Sequence, residues 1–67
     1  MRQETDAEAL YRSMKERNIR IGEMCDKLCM SRSAFYRKTN GITEFTRSEI
    51  QRICEILGLP SPMGIFF

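Results

Sequence analysis

Residues 21–41, IGEMCDKLCMSRSAFYRKTNG, constrain the fold more than any other stretch of the chain. Ile21, Met24, Cys25 and Leu28 recur at i, i+3, i+4 and i+7, which places them on one side of a helix. Ser31 can then cap a second helix, and Asn40-Gly41 is a natural terminator for it. With Phe35 turned inward, Arg32, Ser33, Tyr36 and Arg37 form an outward strip at i, i+1, i+4 and i+5. Two helices this short are marginal alone, so the flanking chain must supply the surface they pack on.

It does so on both sides. Thr5-Asp6-Ala7-Glu8 reads as a capping box, with Thr5 as N-cap and Glu8 reaching back. Ala7, Leu10, Tyr11 and Met14 follow with helical spacing, predicting a first helix over about 6–17 that Asn18 ends, with Ile19 anchoring the connection. The second helix, about 21–28, is poorly announced: Arg20 is a weak cap, and Gly22 costs about 1 kcal/mol relative to Ala inside a helix. In the first turn that cost falls, and the missing side chain lets something approach closely. A phosphate is one visitor; simple variation at an exposed site explains the glycine equally well.

The third helix spans about 32–39. In the loop after it, Ile42 and Phe45 are expected to tuck into the core. Thr46-Arg47-Ser48-Glu49 is another capping box, and Ile50, Ile53, Cys54 and Leu57 carry a fourth helix over about 47–57, closed by Gly58 and Pro60. Ser61-Pro62 either caps one last turn or begins an extended tail. Ile65, Phe66 and Phe67 either close the core or form a partner surface. The expectation is one all-α domain over residues 1–67, with four helices, or five if the last turn forms, and a short apolar tail.

Charge narrows the function only when its distribution is considered. A net charge of +2 is too mild to establish a polyanionic partner. From Lys27 to Thr43, however, Lys27, Arg32, Arg37 and Lys38 occur with no acid among them. A solvated helix surface explains those charges as well as a phosphate-binding face does. Three cysteines, an odd number, suit a reducing compartment better than a disulfide framework. The N-terminus lacks the apolar segment of a signal peptide and no run is long enough to span a bilayer, so a cytoplasmic location and no membrane partner are expected.

The ordered set of Met24-Cys25-Asp26-Lys27-Leu28, the segment 31–38, Asn40-Gly41, the segment 44–50 and the segment 53–59 resembles lambda-repressor-like helix-turn-helix domains. This family includes phage repressors and small xenobiotic-response-element-type regulators, and the resemblance spans about residues 10–67. It implies a helix-turn-helix at about 21–40 whose second helix enters the DNA major groove. It further implies a sequence-specific transcriptional regulator, of phage or prophage repressor type, binding double-stranded DNA as a homodimer. Relatives usually carry Ala where Cys25 stands and Gly where Cys29 stands. Cys29 must therefore adopt a left-handed conformation at a cost of about 1 kcal/mol, or the turn differs. A Gln common at the start of the second helix is absent here, and Arg20 is the candidate replacement for its phosphate contact.

The resemblance places Arg32, Ser33 and Arg37 at base-reading positions, with Tyr36 beside them. Arginine suits that task because it can donate two parallel hydrogen bonds to guanine. Arg20, Lys38, Asn40, Thr43 and Arg47 are the candidates for phosphate contacts, although Asn40 has a rival role as helix terminator. The end of the fourth helix and the tail, with Leu59, Ile65 and Phe67, are expected to form the dimer surface. Without histidine, three thiols make a poor zinc site, so no metal and no cofactor are expected, and the cysteines and Met14, Met24 and Met30 read as core fillers. No Ser or Cys has an evident base and no Gly-rich phosphate loop is present, so enzyme chemistry is not expected. A protein-interaction module on the same scaffold, or a thiol-responsive switch, is the rival reading.

Overall fold

The computed structural model of the chain describes residues 5–66. Its helices are α1 (Ala7–Glu16), α2 (Ile21–Leu28), α3 (Arg32–Thr39) and α4 (Arg47–Leu57), followed by a 3-10 turn over Pro62–Gly64. No strand occurs among the described residues; the only β pairing there is an isolated antiparallel bridge between Thr5 and Phe66. Among them, too, no helix is long and apolar enough to cross a membrane.

Local chemistry sets the helix starts. Ser31 accepts from the Ala34 N–H at 3.1 Å. Thr46 and Glu49 form the reciprocal box, each side chain taking the other's backbone N–H at 3.1 and 2.8 Å. At α1 the cap is Asp6, which accepts from Ala9 at 3.1 Å, and the Thr5–Glu8 box expected from the sequence does not form. The reason is tertiary. Thr5 is held in its bridge to Phe66, and the Asp6 N–H donates to the Ile65 carbonyl at 2.7 Å, so the chain stays extended one residue longer. At α2 Arg20 provides no side-chain cap.

All four helices stop in the same way. Asn18, Cys29, Gly41 and Gly58 take positive φ of 59°, 56°, 80° and 66°. The next N–H then reaches back five residues: Ile19 to Met14 at 2.8 Å, Met30 to Cys25 at 3.1 Å, Ile42 to Arg37 at 2.9 Å and Leu59 to Cys54 at 2.9 Å. This is the Schellman arrangement, which satisfies carbonyls that the helix leaves unpaired. The residue after the left-handed position is apolar each time. Ile19, Met30 and Leu59 pack against the core, whereas Ile42 is 68% exposed, contrary to the sequence expectation. Phe45, three residues on, enters the core in its place.

The core draws on all four α-helices. Leu10 and Met14 come from α1, Met24 and Cys25 from α2, Phe35 from α3, and Ile53 and Leu57 from α4. An edge-on aromatic series runs from Tyr11 to Phe35 (6.5 Å), to Phe45 (6.0 Å) and to Phe66 (5.5 Å), tying both ends of the chain to α3. Truncating a fully buried phenylalanine such as Phe35 costs about 3–5 kcal/mol, a large share of a small domain's stability. Ile65 and Phe66 are buried, so the tail closes the core. Ile65 is therefore unavailable as the dimer contact the sequence suggested; Leu59 is partly covered, and Phe67 lies outside the described residues.

Candidate nucleic-acid interface

α3 is held on one side and open on the other. Phe35 and Thr39 are its buried residues, while Arg32, Ser33, Tyr36 and Arg37 are exposed. Thr39 donates to the Tyr36 carbonyl at 3.0 Å, so its oxygen is left to accept from the Tyr11 hydroxyl at 3.1 Å. This bond pins the last turn of α3 to α1. Ser31 fixes the first turn, and Gly41 ends the helix in a conformation that costs glycine little. Ser33, Tyr36 and Arg37 thus project from a short, rigid rod.

Arg32 is placed differently. Its guanidinium lies against Gly22 of α2, and a β-carbon added there would fall 2.6 Å from the Arg32 Nη2. The close visitor at Gly22 is thus the Arg32 side chain, which must swing away to reach a base. Arg32, Arg20 and Lys15 border an open groove of about 590 Å³ around the start of α2, floored by Met14 and Ile19. Because Arg20 leaves α2 uncapped, the free N–H groups and the positive helix end face this groove. Lys15 was not among the sequence candidates; its helical spacing marks only a solvent-facing residue, and the connection Asn18-Ile19-Arg20 brings it beside the start of α2.

Lys38, a phosphate candidate, is engaged. Its ammonium donates to Glu49 Oε1 at 2.8 Å and to the Glu44 carbonyl at 3.3 Å, and sits 5.9 Å from the centre of the Phe45 ring. The same Glu49 oxygen receives the Thr46 N–H, so Lys38 locks α3 to the cap of α4. Two of its three N–H donors are thereby committed within the domain. Burial opposes ionisation of Glu49, but the hydrogen bonds from Lys38 and Thr46 outweigh it and hold the carboxyl below its ordinary value of 4.5. The other phosphate candidates, Arg20, Asn40, Thr43 and Arg47, are exposed.

Cys25 and Cys54 are buried, while Cys29 is exposed at the turn. Burial pushes the Cys25 and Cys54 thiols up; at Cys25 the nearby Arg32 charge pulls the other way without reversing the shift. Among the described residues no three His, Cys, Asp or Glu side chains come together to hold a metal ion.

With α2 and α3 packed together, joined by a three-residue turn and flanked by α1 and α4, the geometry is that of a helix-turn-helix. The family model of the Cro/C1-type HTH DNA-binding domain matches residues 9–61. The chain belongs to that family. Its match covers all of α2, α3 and α4 and most of α1, and agrees with the lambda-repressor-like resemblance in the sequence. No curated protein and no solved structure matches the chain. Membership makes this a DNA-binding regulator.

Proposed function

We propose that the protein is a sequence-specific repressor of phage or prophage type that binds palindromic double-stranded DNA as a homodimer. The observation that carries this reading is the exposure of Ser33, Tyr36 and Arg37 along one side of an α3 otherwise fixed by Phe35 and Thr39. In the major groove, Arg37 donates a bidentate pair to guanine, Ser33 bonds an adjacent base edge, and Tyr36 packs on a thymine methyl or bonds a phosphate. Arg32 leaves its seat over Gly22 and adds a second arginine contact to a base.

Phosphates flank that helix at both ends. One sits at the uncapped start of α2, where Arg20 and the free N–H groups attract it. Asn40 and Thr43 hold the other strand beyond the end of α3, and Lys38 contributes only where the DNA charge can compete with Glu49. Such contacts position the domain without reading sequence.

Selection of bound molecules from a random duplex pool tests this reading. A palindromic motif with half-sites one helical turn apart, about 34 Å, is the expected product. Failure to enrich any sequence, even at low salt, overturns the reading in favour of a protein-interaction module.

A further inference from the structure

We propose that α4 is the contact surface of the homodimer, packed antiparallel against its symmetry mate with Gln51 at the two-fold axis. An apolar groove of about 400 Å³ runs beside α4, with Ile50, Cys54, Leu59 and Pro62 among the residues lining it. Arg47, Gln51 and Glu55 border this groove and are exposed. Neither charged member of that trio has an ion pair or side-chain hydrogen bond among the described residues, where the ion pair is Lys38–Glu49.

The charge order selects the occupant. Arg47 and Glu55 lie four residues to either side of Gln51, so each is about 6 Å from it along the helix axis. A two-fold axis through Gln51 therefore sets Arg47 against the partner's Glu55, and Glu55 against the partner's Arg47. A parallel pairing would oppose like charges. The stripe is thus complementary to itself, as an isologous interface requires, and its apolar floor is rimmed by polar groups. The homodimer rests on the DNA-binding reading; the charge argument for its surface does not. Arg47, a phosphate candidate from the sequence, is assigned here to the interface.

Sedimentation equilibrium of the full chain without DNA, up to millimolar concentration, tests the proposal with Arg47→Glu, Glu55→Arg and the double variant. Each single swap turns two attractive contacts into two repulsive ones and should weaken association about tenfold, while the double variant restores it. Misfolding does not mimic this result, because an acid in the first turn of α4 and a base in its last both suit the helix dipole. A wild-type chain that stays monomeric, single swaps without effect, or a double variant that fails to recover would overturn the interface. The two readings fail separately. Rescued dimers that select no DNA sink the DNA reading alone, and monomers that still select a palindrome sink the interface alone.

Discussion

Replacing Cys29 by glycine tests how the turn between α2 and α3 is built. Cys29 has φ 56° and ψ 42°, the left-handed conformation in which a β-carbon crowds the following carbonyl. For an L-residue that costs about 1–2 kcal/mol, and glycine escapes it. Against this, glycine gains freedom in the unfolded chain, which offsets about 0.4–1 kcal/mol of the benefit. The side chain is exposed, so little apolar burial is lost. The net gain expected for Cys29→Gly is about 0.5–1 kcal/mol, which for a domain of this size raises Tm by about 2–8 °C. Thermal unfolding followed by circular dichroism, under reducing conditions, measures it. Cys29→Ala is the control: it keeps the β-carbon and the strain, and its Tm should stay close to that of the wild type. A Cys29→Gly protein that melts at or below the wild-type temperature would refute the reasoning, since the thiol would then be contributing more than the strain removes.

Three other predictions concern the neighbouring contacts. Gly22→Ala should fold, with stability raised by up to about 1 kcal/mol in chemical denaturation, because the atom the new methyl meets is the mobile end of Arg32; marked destabilisation would mean that Arg32 is fixed there. Glu49 titrates below its ordinary value when folded, so its stabilising contribution is complete above about pH 4.5 and is lost as pH falls through the lower folded value. The difference in urea midpoint between wild type and Glu49→Gln should accordingly shrink from pH 7 to pH 3, and a constant difference would contradict the Lys38–Glu49–Thr46 arrangement. A thiol reagent followed by mass spectrometry should label Cys29 in the native protein, and Cys25 and Cys54 only on unfolding; equal labelling of all three would contradict the core assignment.

Where the residues that decide an element are neighbours in sequence, the sequence could be read. Ser31, Thr46 with Glu49, Gly41 and Gly58 set the ends of α3 and α4 through bonds spanning a few residues, and those helices lie where the pattern puts them. The family resemblance left Cys29 either left-handed or in a different turn, and it takes the left-handed conformation. Thr5 and Asp6 are equally good caps by chemistry, and the choice between them is made by Ile65 and Phe66 at the other end of the chain. Ile42 occupies the position that Ile19, Met30 and Leu59 use to reach the core, yet Phe45 enters there instead. On the interface, the outward strip of α3 was legible because Phe35 fixes its phase. The seat of Arg32 on Gly22 and the capture of Lys38 by Glu49 were not, since both join separate helices.

The central claim is that α3 reads DNA, and the most direct measurement compares wild type with Arg37→Ala. Both would be titrated with the selected duplex and a scrambled one over a range of salt concentrations. Arg37 is exposed and contributes no side-chain contact to the core, so the variant should keep its melting temperature. The account predicts wild-type affinity that falls steeply with salt, and a variant that loses about 1–3 kcal/mol of discrimination between the two duplexes. Equal preference in the two proteins, at unchanged stability, would show that α3 does not read the bases.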